Sequence, residues 1–245
     1  MNVLVLDVGG TRVKMHVAGS EEVRKFPSGP TLTPGELVAG VLDRVRDWKF
    51  DAITVGYPGP VLRGKAVAEP RNLGEGWMGF DFATAFGRPV KMINDAAMQA
   101  LGSYEGGRML FLGLGTGLGT ALISDGHIEP MELGHLPYGK STFEDHVGRG
   151  GLKRMGKKKW RRHVERVVDR LTAAFLPDYV VLGGGNVKKL KALPPLARPG
   201  DNANAFVGGQ RLWDEPVGRG PDPAASPSAR PERKAGKARR DGGDD

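Results

Sequence analysis

The chain has 245 residues, 39% of them apolar, enough to bury a core as one large domain or as two lobes of about 100 residues each. It contains no cysteine, which excludes disulfides, thiolate zinc sites and thiol nucleophiles. The formal charge of +8 is concentrated in Lys153 to Arg170 and Arg230 to Arg240, a pattern that fits an anionic partner but more commonly marks a solvated basic face.

The N-terminal "MNVLVLDVGG" has neither the basic n-region nor the cleavage site of a signal peptide. No stretch approaches the roughly 20 apolar residues of a membrane span, so a cytoplasmic location without a membrane partner is expected. "VLVLDVGGTRVKMHVAG" reads as an apolar strand, a glycine turn and an alternating strand with Val13, Met15 and Val17 on one side, a β-hairpin. "PGELVAGVLDRVRDW" sets Leu37, Val38, Val41, Leu42 and Val45 at helical spacing, and "DAITVGYPGPV" returns to a buried strand that stops at Pro58. A second helix, "DFATAFG", leads through the strand "PVKMIN" into "DAAMQALGSY".

At Arg108 the plan starts again, since "RMLFLGLGTGLGTALISDG" is strand, glycine turn, strand. This repeat predicts two similar lobes, 1–105 and 106–213, with the last helix expected to pack back on the first lobe. In "WRRHVERVVDRLTAAFL" the residues Trp160, Val164, Val167, Val168, Leu171 and Phe175 form one helical stripe with basic residues opposite. "DYVVLGGGNV" is a further strand ending in glycines. Beyond it the composition shifts to Pro, Gly, Ala, Ser, Arg and Asp, and a disordered basic tail is expected over 214–245.

Three glycine turns follow apolar strands, at 7–11, 113–119 and 183–186. Any one of them alone reads as an ordinary hairpin turn. Together, with hydroxyls at Thr11 and Thr116, they suggest free backbone N–H groups at strand ends where a chain of phosphates can approach. None fits the P-loop spacing, and "GLGTGLG" lacks the helix and ribose-binding acid of a dinucleotide fold. Asp7, at a strand end just before glycines, suits an acid that holds Mg²⁺ through water. Asp95 reads as the N-cap of a helix over 96–101, and a capping carboxylate at a cleft mouth can also accept a proton. The stretch "MELGHLPYGKSTFEDHVG" gathers Glu132, His135, Glu144, Asp145 and His146. A metal site there lacks His-Glu-x-x-His spacing and thiolates. A structural reading puts its charges in solvent and His135 in the core. In a third reading the carboxylates and a neutral imidazole accept hydrogen bonds from hydroxyls. Asp145 and His146 read as helix-start and surface residues.

"LDVGGTRVK", "GYPGPV", "NLGEGW", "INDAAMQALGSY", "LGLGTGLGTALI", "ELGH" and "VVLGGGN" resemble, in order and rough spacing, ROK-family sugar kinases of the actin-like ATPase superfamily. Within that family the chain is similar to the polyphosphate glucokinases, which carry "GHLP…EDYVG" where this chain has "GHLPYGKSTFEDHVG". The resemblance spans about residues 2 to 213. It implies an α/β fold of two ribonuclease-H-like lobes with a central cleft, and a kinase that phosphorylates the 6-hydroxyl of glucose. Asp95 would be the general base. Asn72, Asn94, Glu132, His135 and Glu144 would bind the sugar. Gly9, Gly10, Thr11, Lys14, Gly115, Thr116 and Gly117 would bind the donor phosphates, Gly184 and Gly185 the donor's far end, and Asp7 would position Mg²⁺ through water. In most ROK kinases the histidine of "GH" also ligates zinc with three cysteines, so no structural zinc is expected here.

The expected donor is polyphosphate, ATP or both, and relatives are commonly dimers, so a homodimer is expected. The alternatives are an ATP-only ROK glucokinase or hexokinase and a non-catalytic sugar-binding regulator. The first strand begins too early for the helix-turn-helix of the DNA-binding relatives, and no recognised motif points to specific nucleic acid. Lys157 to Arg162 reads as the solvated face of an amphipathic helix, or, more sharply, as an attractor for a polyanionic donor.

Overall fold

A computed structural model of the protein describes residues 1–214. The expected tail, beyond Asp214, lies outside the described residues. β1 (Val3–Val8) is buried on both faces: Leu4, Leu6 and Val8 enter one apolar cluster, Val3 and Val5 another, the period-two division that a strand imposes. β2 (Arg12–Val17) returns antiparallel with Lys14 opposite Asp7, and β3 (Arg24–Pro27) extends that edge. α1 (Pro34–Arg44) opens with a capping box between Thr33 and Glu36 and buries Leu37, Val38 and Val41 against the sheet. β4 (Ala52–Tyr57) pairs parallel with β1, and a short hairpin of β5 (Val61–Leu62) and β6 (Lys65–Ala66) follows. α2 (Phe82–Phe86) then leads to β7 (Val90–Asn94), parallel to β4, and the chain turns directly into α3 (Asp95–Ser103).

The second sheet repeats this plan. β8 (Arg108–Leu114), β9 (Leu118–Ser124) and β10 (His127–Met131) form an antiparallel meander. A hairpin of β11 (Pro137–Tyr138) and β12 (Ser141–Thr142) precedes α4 (Phe143–Val147) and α5 (Arg149–Phe175). β13 (Tyr179–Gly183) then pairs parallel with β8, and β14 (Ala197–Pro199) with β13. The two sheet orders, β3-β2-β1-β4-β7 and β10-β9-β8-β13-β14, are equivalent.

Between the sheets lie α3 and α6 (Asn204–Arg211), whose cluster takes Val5, Ile93 and Met98 with Phe111, Ile123 and Ala205. Their backbones approach so closely at Gly102 and Gly208 that no Cβ fits at either. α6 and the turn after it are tied to the first sheet. The buried Thr54 hydroxyl donates to Gly209 O at 2.6 Å and accepts from Trp213 Nε1 at 2.8 Å.

The predicted helix over 34–48 stops at Arg44, and Leu42, counted in its buried stripe, is 40% exposed. The helix over the "WRRHVERVVDR" stripe begins earlier, at Arg149, and is interrupted at Gly156, where φ 72° and ψ 165° break the hydrogen-bond ladder. Beyond that break Trp160, Val164, Val167, Val168 and Leu171 are buried as the spacing predicts.

Candidate active site

The second and third glycine turns form one surface. Gly184 has φ +83° and lies so close to the Leu114 backbone that a side chain would be 2.6 Å from its carbonyl oxygen. Asn186 fixes the junction, its Nδ2 donating to Gly115 O at 2.9 Å and its N–H to Leu114 O at 3.1 Å. The start of α5 grips the same turn, with Arg149 N–H shared between Gly115 O and Thr116 O at 3.1 and 3.0 Å. Not all of the amides expected to be free are so. Gly9 N–H closes its own turn on Arg12 O at 3.0 Å, and Gly115 N–H points to Gly113 O and Gly117 O at 3.0 and 3.3 Å. A tight turn satisfies its inward N–H first, so these two glycines shape their turns rather than offer a donor.

The first turn meets the loop after β6. A Cβ at Gly10 would come within 2.9 Å of Asn72 Cβ, so the donor-type turn and the predicted sugar loop touch. On the strand beside it, Asp7 Oδ2 holds Lys14 Nζ at 2.7 Å across the hairpin.

The cap of α3 corrects the sequence reading. Asn94, not Asp95, is the N-cap: its Oδ1 accepts from Ala96 N–H at 3.0 Å and Ala97 N–H at 3.1 Å, and its Nδ2 donates to Gly59 O at 3.0 Å. Asp95 is the first helical residue, half-buried, with Oδ1 accepting from Ala96 N–H at 2.7 Å. Burial, and then the charges of Asp7 and Glu132, push its carboxyl from 3.8 up to about 7, against the opposing pull of backbone N–H groups.

Glu132 and His135 are set by buried Thr120, whose hydroxyl donates to Met131 O at 2.6 Å and accepts from Leu133 N–H at 3.2 Å. Glu144 is held in the first turn of α4 by the capping box of Thr142 and Asp145. Three of the residues predicted to bind sugar converge as a clamp: His135 Nδ1 lies 3.9 Å from Glu132 Oε2, and His135 Nε2 lies 3.6 Å from Glu144 Oε1. Glu144 also presses on Gly117, where a side chain would collide with Oε2, so clamp and glycine turn are adjacent. Burial raises the Glu132 carboxyl; His135 pulls it down and Glu144 pushes it up.

Arg71 is the residue that the sequence reading missed. From the first sheet's loop its Nη1 reaches Glu144 Oε1 at 3.2 Å and its Nη2 reaches His135 Nε2 at 3.3 Å. A guanidinium can only donate, so Nε2 accepts and the imidazole proton falls on Nδ1, toward Glu132. The one available signal was its place beside Asn72. His135 is therefore not a core residue, being 48% exposed at the side chain. His146 is not a surface residue either: its ring lies 4.8 Å from both Tyr138 and His163, and Tyr138 Oη meets His163 Nδ1 at 3.0 Å. Among the described residues no three His, Asp or Glu side chains are grouped to hold a metal ion.

Two equivalent sheets, each opening on a glycine-turned hairpin and joined by helices between them, place the molecule in the class of actin-like ATPase folds. Residues 3–151 match the model of the ROK family, and the chain belongs to that family. It is 27% identical over 215 residues to a polyphosphate glucokinase of Mycobacterium tuberculosis, covering 78% of this chain and 80% of that protein. A fructokinase of Pediococcus pentosaceus is 26% identical over 239 residues, covering 77% and 82%. In structure it resembles the inorganic polyphosphate/ATP-glucomannokinase of Arthrobacter sp. strain KM, with TM-score 0.72, 25% identity and coverage of 85% and 96%. The ROK glucokinase of Streptomyces griseus, solved with glucose and AMPPNP, shares the fold at TM-score 0.70 and 16% identity, with coverage of 86% and 99%. No helix among the described residues is long and apolar enough to cross a membrane.

Proposed function

We propose that the protein is a sugar kinase that transfers a phosphoryl group from polyphosphate or ATP to the 6-hydroxyl of glucose. The observation that carries this reading is the half-buried Asp95 carboxyl, which burial and then the charges of nearby Asp7 and Glu132 push up to about 7. A general base works best when its pKa lies near the working pH.

Glu132, His135 and Glu144 accept hydrogen bonds from ring hydroxyls, with Asn72 and Asn94 at the sides, and Arg71 orients His135 and Glu144. Asp95 takes the proton of the attacking hydroxyl as its oxygen bonds to the terminal phosphorus, and the bond from that phosphorus to the leaving phosphate breaks. Gly10, Thr11, Thr116 and Gly117 flank the donor phosphates, with Gly184 and Gly185 at the far end and Lys14 as a nearby cation. Mg²⁺ keeps most of its waters and binds through one or two carboxylates plus substrate phosphates. A single strand-end carboxylate, Asp7, with one oxygen already on Lys14, fits that water-mediated mode. When bound, the ion neutralises charge on the donor. Drawing the lobes together excludes water as a competing acceptor.

Asp95→Asn tests the reading. General-base loss lowers kcat by about 10² to 10⁴, while the glucose Kd measured by calorimetry stays within a few fold. Unimpaired turnover overturns the assignment, and no glucose 6-phosphate from wild type with either donor overturns the enzyme reading.

A further inference from the structure

Outside the cleft, the charge run noted in the sequence acquires a shape. Lys158, Arg161, Arg162 and Glu165 stand at i, i+3, i+4 and i+7 on one face of α5. With Leu190, Lys191 and Ala192 they line a groove of about 530 Å³. Of the Lys157 to Lys159 triplet, only Lys158 lines it. Arg161 is spent on construction, its Nε donating to Lys189 O at 2.7 Å and so joining the groove's two walls. Lys188 and Lys189 sit in the short turn at Val187–Lys189 that leads to Leu190.

We infer that this groove is a track for the polyphosphate chain beyond the point of transfer, and that it makes the enzyme select long-chain polyphosphate over compact donors. The inference rests on the sugar-kinase reading and names its donor. Two features carry it. The first is continuity: the segment from Gly184 and Gly185 passes through Asn186, which holds Gly115 O, straight into the groove wall. The wall therefore begins five residues along the chain from Gly185, on the same connecting segment. The second is the chemistry of the lining, four cations against one carboxylate, with no aromatic ring among the described lining residues. A base or adenine reader uses ring stacking, whereas a repeating anion needs only cations spaced along its length. The break at Gly156 also makes α5 restart just before the groove, so the positive end of that helical segment adds to the side chains.

The test is the triple variant Lys158→Ala, Arg162→Ala and Lys191→Ala, which leaves Arg161 and every cleft residue in place. Initial rates are measured with long-chain polyphosphate, tripolyphosphate and ATP across a salt series. The expected result is a KM for long-chain polyphosphate raised at least tenfold, with KM for tripolyphosphate, ATP and glucose unchanged. The slope of log KM on log salt for the long chain should fall by about 2, from roughly 0.7 per phosphate charge neutralised. An unchanged long-chain KM overturns the track. So does a wild type with equal kcat/KM per chain for tripolyphosphate and long-chain polyphosphate, or one that is active with ATP alone; neither result touches the sugar-kinase reading. If no donor supports turnover, that reading falls and the track is judged by calorimetry. Long-chain polyphosphate that binds wild type and the triple variant alike overturns it, as does RNA that binds wild type as tightly as polyphosphate.

Discussion

Asp95→Asn should make the protein more stable while disabling it, and only above a definite pH. The Asp95 carboxyl stands at about 7 in the folded protein against an ordinary 3.8. Between these values the unfolded chain has released a proton that the folded chain still holds, so folding loses stability as pH rises through this window. A displacement of this size corresponds to roughly 4 kcal/mol at 1.36 kcal/mol per pH unit. Because Asp95 is half-buried and can draw water toward the charge, about 2 kcal/mol is the realistic share. Asn retains an oxygen for Ala96 N–H, held at 2.7 Å in the wild type, and carries no charge. The raised Glu132 carboxyl is common to both proteins and cancels in the difference. Thermal unfolding of both proteins at successive pH values should give equal Tm near pH 4. The variant should then gain about 4 to 8 °C by pH 8, at ~2–4 °C per kcal/mol. Over the same window the wild-type kcat/KM for glucose should rise about tenfold per pH unit and level off above about 7. A Tm difference independent of pH, or a wild type that gains on the variant as pH rises, refutes the raised carboxyl at Asp95.

Arg71→Ala should raise the KM for glucose roughly tenfold, the scale of one charge-assisted hydrogen bond, with kcat and the donor KM nearly unchanged. Arg71→Lys should recover part of the loss, and an equal rise in donor KM would contradict a role at the clamp. The Arg71 side chain is 73% exposed, so Tm should not move. Thr54→Val keeps the shape but strands Gly209 O and Trp213 Nε1, which the hydroxyl serves at 2.6 and 2.8 Å. At about 1–3 kcal/mol per orphaned group, Tm should drop by several degrees while kcat at 25 °C is retained; an unchanged Tm would mean α6 is not anchored through this hydroxyl.

The repeat of strand, glycine turn and strand was legible because it is local: apolar runs and glycines at fixed positions dictate each hairpin without reference to the rest of the chain. The equivalent sheet orders follow from it. The cap at α3 was misassigned by one residue because Asn94 and Asp95 are both good caps, and only the backbone, non-helical at Asn94, decides between them. His146 looked like a surface residue because nothing in its neighbourhood of sequence announces His163, which comes from the next helix to meet it. Arg71 was missed for the same reason: it is 64 and 73 residues from the partners it contacts, and an exposed arginine in a loop carries no periodicity.

The missing cysteines bear directly on that arginine. In the zinc-bearing members that the sequence resembles, a metal fixes the histidine of "GH"; here a guanidinium lies 3.3 Å from His135 Nε2 and leaves Nδ1 to face Glu132. An exposed ion pair contributes little to stability, so the consequence of Arg71 is geometric. It comes from the loop beside Gly10 of the first sheet, whereas His135 and Glu144 belong to the second, and Glu144 in turn abuts Gly117. One side chain thus spans the cleft and touches two of the three clamp residues at once. Any movement that separates the Arg71 loop from the second sheet breaks both contacts together, freeing His135 and Glu144, the residues proposed to receive the sugar. On that proposal the clamp is complete only when the two sheets' loops are close, the state expected to keep water from the phosphoryl donor.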